Sequence, residues 1–332
     1  MTSPVDTTIT TTPSRADEVH PLIADHLEGD ADSDDPPASE LTVEELRQMD
    51  AESPLSSDLE IPIERVSDDT VLGPNGEIPV RQYEPRADRS QSSPSIVFFH
   101  GGGWISGSID THNRVCRKMA NVTGYPIVSV DYRLAPENPF PAGLLDCYSV
   151  LEWVSNSAAE LGVDPDQTIV MGDSAGGNLA AATALLARDR DGPKVAHQVL
   201  IYPAVGDART SEAYKQNATG YDLTADIVDM IYELYTDSDI DDANYYAWPR
   251  KANDLSGLPP ATVLTAGFDP LRDDGALYAE RLRKSNVSTS FSNYEDLTHG
   301  FFAMIGDPID IEKVHQAYRD ISERLHAQFD SQ

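Results

Sequence analysis

Ser174 lies in the string Gly172-Asp173-Ser174-Ala175-Gly176, between the apolar run Thr168–Met171 and a helical pattern that starts near Gly176. A hydroxyl is a weak nucleophile. To react it needs presentation at a sharp turn, a base for its proton, and donors for the charge it creates. The G-x-S-x-G spacing between strand and helix supplies the turn. Such a turn is strained and tight, so its neighbours must be small. The helix start leaves backbone N–H groups unpaired, and that of Ala175 is placed to meet a developing oxyanion.

Further donors come from Phe98-Phe99-His100-Gly101-Gly102-Gly103-Trp104. Three glycines after a buried strand let the backbone approach a ligand closely. No G-K-[ST] follows and no dinucleotide pattern fits, so an acyl oxyanion is a better occupant than phosphate. Gly102 and Gly103 are the candidate donors. His100 is read as shaping this loop rather than as a base.

Of the eight histidines, His20 and His26 lie in a polar head, and His315 and His326 on the last helix. His197 opens a strand and His112 starts a helix. His299, in "YEDLTHGFF", stands just past the last strand and is the candidate base. Asp269, in "AGFDPLRD", follows the strand 261–267 and is the candidate orienting acid. Both lie beyond carboxyl ends of strands, where open α/β sheets place their sites. The chain order Ser, Asp, His suits this constellation. Asp273 and Asp274 better serve the helix that follows, and Glu295 and Asp296 are weaker rivals for the acid.

The elements that must position these groups follow from apolar patterning. Apolar runs at 95–100, 126–130, 168–172, 197–203 and 261–267 alternate with helical patterns at 111–122, 142–158, 176–188 and 273–285. That alternation implies an α/β sheet covered on both faces. A further strand is expected at 288–296 and a closing helix at 309–328. Upstream, "LEIPIERV" and "EIPVRQYEP" read as strands with a turn at Asn75-Gly76. Thr42 and Glu45 frame a short helix as a capping box. Residues 207–255 interrupt the rhythm with helical and aromatic pieces, as a lid or cap would. The expected organisation is a flexible acidic segment at 1–38, a cap helix region at 39–56, core at 57–206 and 256–332, and a cap insertion at 207–255.

The 332 residues include 56 acidic and 24 basic side chains, a formal net charge of −32, and only six of the basic residues are lysine. Such a surface repels nucleic acid and anionic membranes. It also repels itself until salt screens it, which points to a high-salt cytoplasm as its setting. No basic-plus-apolar leader and no run of membrane length is seen, so a cytoplasmic protein without stable membrane association is expected. Cys116 and Cys147 are expected to be free and buried. No acidic cluster has metal-ligand spacing, and neither a metal nor another cofactor is expected.

The strings "HGGGWISGS", "VSVDYRLAPENPFPAGLLD", "GDSAGGNLAA", "LSGLPPATVLTAGFDPLRDDGALYAERLR" and "HGFF" occur in that order over roughly residues 60–320. With them the chain resembles the hormone-sensitive-lipase-like branch of the α/β-hydrolase esterases. The resemblance implies a mostly parallel central sheet flanked by helices, with a helical cap. It implies Ser174 as nucleophile, His299 as base, Asp269 as acid, and an oxyanion hole from the N–H groups of Gly102, Gly103 and Ala175. It favours short- to medium-chain carboxylic esters as small-molecule substrates and leaves a homodimer open. Tyr221, Leu223, Tyr232 and Trp248 are candidates to line the acyl slot, with ordinary cap core as the rival use. A lipase or amidase with the same triad, or a non-catalytic ligand-binding member of the fold, are the alternatives.

Overall fold

The computed structural model describes residues 13–31, 38–53, 61–87 and 92–330. Helices α1 (Pro21–Ala31) and α2 (Val43–Glu52) precede the hairpin of β1 (Arg65–Gly73) and β2 (Gly76–Glu84). Then come β3 (Ser93–Phe99), α3 (Asn113–Thr123), β4 (Ile127–Val130), α4 (Ala142–Asn156) and α5 (Ala158–Leu161). Next are β5 (Val163–Asp173), α6 (Ala175–Asp189) and β6 (Val195–Ile201). An excursion holding α7 (Glu212–Gln216), α8 (Ala225–Tyr235) and α9 (Asp239–Asp242) leads to β7 (Ala261–Phe268), α10 (Arg272–Lys284) and β8 (Thr289–Thr298). The short strands β9 (Ile305–Gly306) and β10 (Ile309–Asp310) precede α11 (Glu312–Phe329).

The main sheet runs β1-β2-β4-β3-β5-β6-β7-β8. From β4 to β8 the pairing is parallel, while β2 is antiparallel to both β1 and β4. Side chains alternate across the sheet and feed two cores. Ile96, Phe98, Ile169, Met171, Val199 and Ile201 face the layer of α3 and α11. Val97, Phe99, Val170, Leu200 and Val263 face the layer of α4, α6 and α10. Burial on both faces is why these strands read as apolar runs rather than alternating ones. The fold is therefore an α/β-hydrolase fold, with a mostly parallel sheet, flanking helices and a helical cap region.

Several local expectations hold. Glu45 and Thr42 form the capping box of α2, Gly73 pairs with Gly76 at the hairpin turn, and both cysteines are free and buried. The first hairpin strand differs. It was expected at 59–66, but β1 begins at Arg65 and runs through Ser67-Asp68-Asp69-Thr70. An edge strand with exposed polar residues carries little apolar signal. Residues 1–12 and 32–37 of the expected flexible head, and 54–56 of the expected cap helix region, lie outside the described residues. Residues 13–31 depart from that expectation of flexibility, because they form a strap along the sheet edge. Ala16 N donates to Glu295 O (2.9 Å) and His20 N to Asp296 O (2.8 Å), and Ile23 is fully buried in the core. Among the described residues, no helix is long and apolar enough to cross a membrane.

The cap excursion packs on the loop after β3. The Trp104 ring stacks on Tyr235 at 4.0 Å and meets Trp248 edge-on at 5.8 Å. Asn178, at the start of α6, donates from Nδ2 to Ala204 O and Ala247 O, both at 2.8 Å. One buried amide thus ties the turn that carries Ser174 to both ends of the excursion.

Candidate active site

Ser174 closes β5 and opens α6 with φ 54° and ψ −119°, a conformation that L-residues rarely adopt. The strain is held by backbone bonds on both sides. Ser174 N donates to Ile201 O (2.8 Å), and Ser174 O accepts from Asn178 N (3.1 Å) and Ala204 N (3.2 Å). The crowding of small residues now has a cause: a Cβ at Gly176 would overlap the carbonyl oxygen of Phe99, and one at Gly172 would overlap that of Gly176. The helix must start against the neighbouring strand for the serine to stand at the sheet's carboxyl edge.

The structure brings the three separated residues together. His299 Nε2 lies 2.9 Å from Ser174 Oγ, and His299 Nδ1 lies 2.9 Å from Asp269 Oδ2. Opposite an ionised carboxylate Nδ1 carries the proton, so Nε2 is left to accept. Asp269 is fully buried, and its other oxygen accepts from Leu271 N at 2.7 Å. Burial alone would pull the imidazole pKa down. The charge and hydrogen bond of Asp269, helped by Asp173 and Asp222, outweigh it and raise His299 above its ordinary value of 6.5. The rival acids do other work. Asp273 accepts from Ala213 N, and Asp274 pairs with Arg250 at 2.7 Å and accepts from Gly206 N. Glu295 and Asp296 take the backbone N–H groups of the strap on their carbonyls.

The glycine loop sits beside the turn. Gly102 (φ 112°) and Gly103 (φ 59°) occupy backbone space that favours glycine. Gly101 N donates to Asp173 Oδ1 at 3.0 Å, fastening the loop to the residue before Ser174. Asp173 and His112 form a buried pair, 3.2 Å apart. Burial opposes charge on each, yet their mutual attraction prevails: the Asp173 carboxyl is held below its ordinary range and the His112 imidazole above. His100 is buried and its pKa is pushed down to about 3 by desolvation. It stacks on Tyr132 at 4.2 Å and meets Gly101 O at 2.7 Å, so it shapes the loop as expected.

The four cap candidates separate into two groups. Tyr232 and Trp248 are each 3% exposed and belong to the aromatic cluster with Trp104. Tyr221 and Leu223 are only partly buried, with Tyr221 5.0 Å from the Phe268 ring. Sequence reasoning missed Asp173, His112 and Asn178. Each has a partner 61 to 72 residues away, beyond its nearer ones. The only signal was a polar side chain inside an otherwise apolar or glycine-rich stretch.

A family model described as alpha/beta hydrolase fold matches residues 96–303. The chain belongs to that family. It is 42% identical over 288 residues to the carboxylesterase NlhH of Mycobacterium tuberculosis, covering 85% of this chain and 88% of the relative. An arylesterase of Saccharolobus solfataricus is 40% identical over 233 residues, 70% of this chain and 74% of the relative. Among solved structures, the hyperthermophilic esterase from the archaeon Pyrobaculum calidifontis superposes with a TM-score of 0.86 at 38% identity, covering 93% of this chain and 98% of that one.

Proposed function

We propose that this protein is a serine carboxylesterase that hydrolyses short- to medium-chain carboxylic esters through an acyl-enzyme on Ser174. The observation that carries the reading is the unbroken hydrogen-bonded series Ser174–His299–Asp269 at 2.9 Å per step, beside a glycine loop. His299 Nε2 takes the Ser174 proton as Oγ bonds to the ester carbonyl carbon. The carbonyl electrons move to oxygen, where the N–H groups of Gly102, Gly103 and Ala175 meet the charge; one such donor is worth about 2.7–4 kcal/mol. The intermediate collapses, the C–O bond to the alcohol breaks, and His299 protonates the leaving oxygen. Water then gives a proton to His299 as it attacks the acyl carbon; the bond from that carbon to Ser174 Oγ breaks, His299 returns the proton to Oγ, and the acid leaves.

Tyr221 and Leu223, with their remaining exposed surface, are the better candidates for the acyl slot. A p-nitrophenyl ester series tests the substrate class. Turnover is expected to peak at short to medium acyl chains and to need no oil interface. A rise in turnover at an emulsified long-chain interface would instead identify a lipase, and faster cleavage of matched anilides an amidase.

The finer placement is the hormone-sensitive-lipase-like branch, with the core at 57–206 and 256–332 and the cap built from 39–56 and 207–255. A cytoplasmic location and a homodimer are consistent with this reading. The net charge of −32 supports adaptation to high salt, because like charges at such density repel until screened. The melting temperature is therefore expected to rise from dilute buffer to molar KCl. A melting temperature that is flat or falls over that range would contradict the saline assignment without touching the chemistry.

A further inference from the structure

The strap at 13–20 touches both loops that carry the acid and the base. On one side it follows β8 into the His299 loop. Ala16 N and His20 N donate to Glu295 O and Asp296 O, Asn293 Nδ2 donates to Ser14 O at 2.7 Å, and Ser14 Oγ donates to the Glu295 carboxylate. On the other side Arg15 reaches behind the acid turn. Its Nη1 donates to Asn217 Oδ1 (2.9 Å) and Gln216 O (3.1 Å), and its guanidinium lies 4.8 Å from the Phe268 ring centroid.

Asn217 ends α7 and is fully buried. Its Nδ2 donates to Asp269 O at 3.0 Å and Gly267 O at 3.2 Å. A primary amide has two N–H donors and one oxygen, and here the two ends are held by different partners. The two acceptors bracket Phe268, so Asn217 fixes the last backbone turn before the Asp269 side chain leaves for His299. Arg15 fixes which way the amide faces, because only the oxygen can accept from a guanidinium.

We propose that Asn217, oriented by Arg15, is a positioning residue for the Asp269–His299 pair, and that the N-terminal strap is part of the catalytic support. This rests on the catalytic reading of Ser174, His299 and Asp269. An aspartate displaced by about an ångström holds its histidine poorly, and misplacement on that scale costs about a hundredfold in rate.

The test uses the full chain with Asn217→Ala, Arg15→Ala, Arg15→Lys and the Asn217→Ala/Arg15→Ala double variant, assayed on p-nitrophenyl butyrate. Asn217→Ala is expected to lower kcat by about tenfold to hundredfold with KM changed less than about twofold. Arg15→Ala, at an exposed side chain, is expected to lower kcat in the same way but less, about threefold to tenfold, with the melting temperature near wild type and Arg15→Lys recovering part of the loss. The double variant is expected to match Asn217→Ala alone, because both act through one amide. The acid limb of kcat/KM is expected to move to lower pH in each, since a looser Asp269 supports less charge on His299. Arg15→Ala with wild-type kcat and acid limb would overturn the proposal, as would full additivity in the double variant. Failure of the catalytic reading itself is told apart by Ser174→Ala: turnover surviving there removes that reading, whereas the outcomes above remove only the support.

Discussion

Ser174→Ala is expected to lower kcat by about 10⁴- to 10⁶-fold while leaving the melting temperature and KM near wild type. Alanine keeps a Cβ at the same φ of 54°, and the backbone bonds from Ser174 N to Ile201 O and from Asn178 N and Ala204 N to Ser174 O involve no side-chain atom. The turn therefore survives and only the oxygen is lost. What remains is whatever the glycine loop and the pocket give to attack by water. Steady-state turnover of p-nitrophenyl butyrate, with circular dichroism as the folding control, checks this. Activity within tenfold of wild type would show that the serine is not the nucleophile.

Asp269→Asn is expected to lower kcat/KM by about 10⁴-fold. The reason lies in how the carboxylate is shared. Leu271 N donates to one oxygen at 2.7 Å, so the amide oxygen of the variant stays with that N–H. The amide NH₂ then faces His299 Nδ1, which can only accept from it. The ring is driven to the tautomer with its proton on Nε2, the atom that must accept from Ser174. The pH profile gives an independent check. His299 must be neutral to act as base, so wild-type kcat/KM is lost as pH falls through its pKa, and that pKa lies above 6.5 because Asp269 holds it up. Removing the charge lowers it, and the acid limb of the residual activity moves to lower pH. An acid limb that stays in place would show that Asp269 does not set the imidazole.

Much of this site is legible in the sequence because the fold spends rare residue types on it. Glycines at Gly172 and Gly176 exist because Cβ atoms there would overlap carbonyl oxygens. Strands buried on both faces announce themselves as apolar runs, so β3, β6 and β7 fall within two residues of their expected bounds, while the polar start of β5, five residues early, goes unread. Asp269 and His299 follow from strand ends and chain order. The supports are a different matter. The strap is held to β8 in part by backbone N–H groups of Ala16 and His20, a bond any residue but proline can make, and its polar composition reads as a flexible head. Asn217 and Arg15 meet across 202 residues of chain, with no period or motif to connect them. Tyr232 and Trp248 look from composition like slot residues, and aromatic side chains in a small cap are also effective packing material; at 3% exposure they pack with Trp104.

The central claim is that one hydroxyl, on Ser174, becomes the acyl carrier. The most direct measurement is labelling with a fluorophosphonate, followed by peptide mass spectrometry and titration of residual ester turnover. One adduct per chain is expected, on the peptide containing Ser174, with turnover lost in proportion to labelling and no adduct in Ser174→Ala. Complete inactivation with the adduct on another residue, or a fully labelled Ser174 with turnover intact, would contradict it.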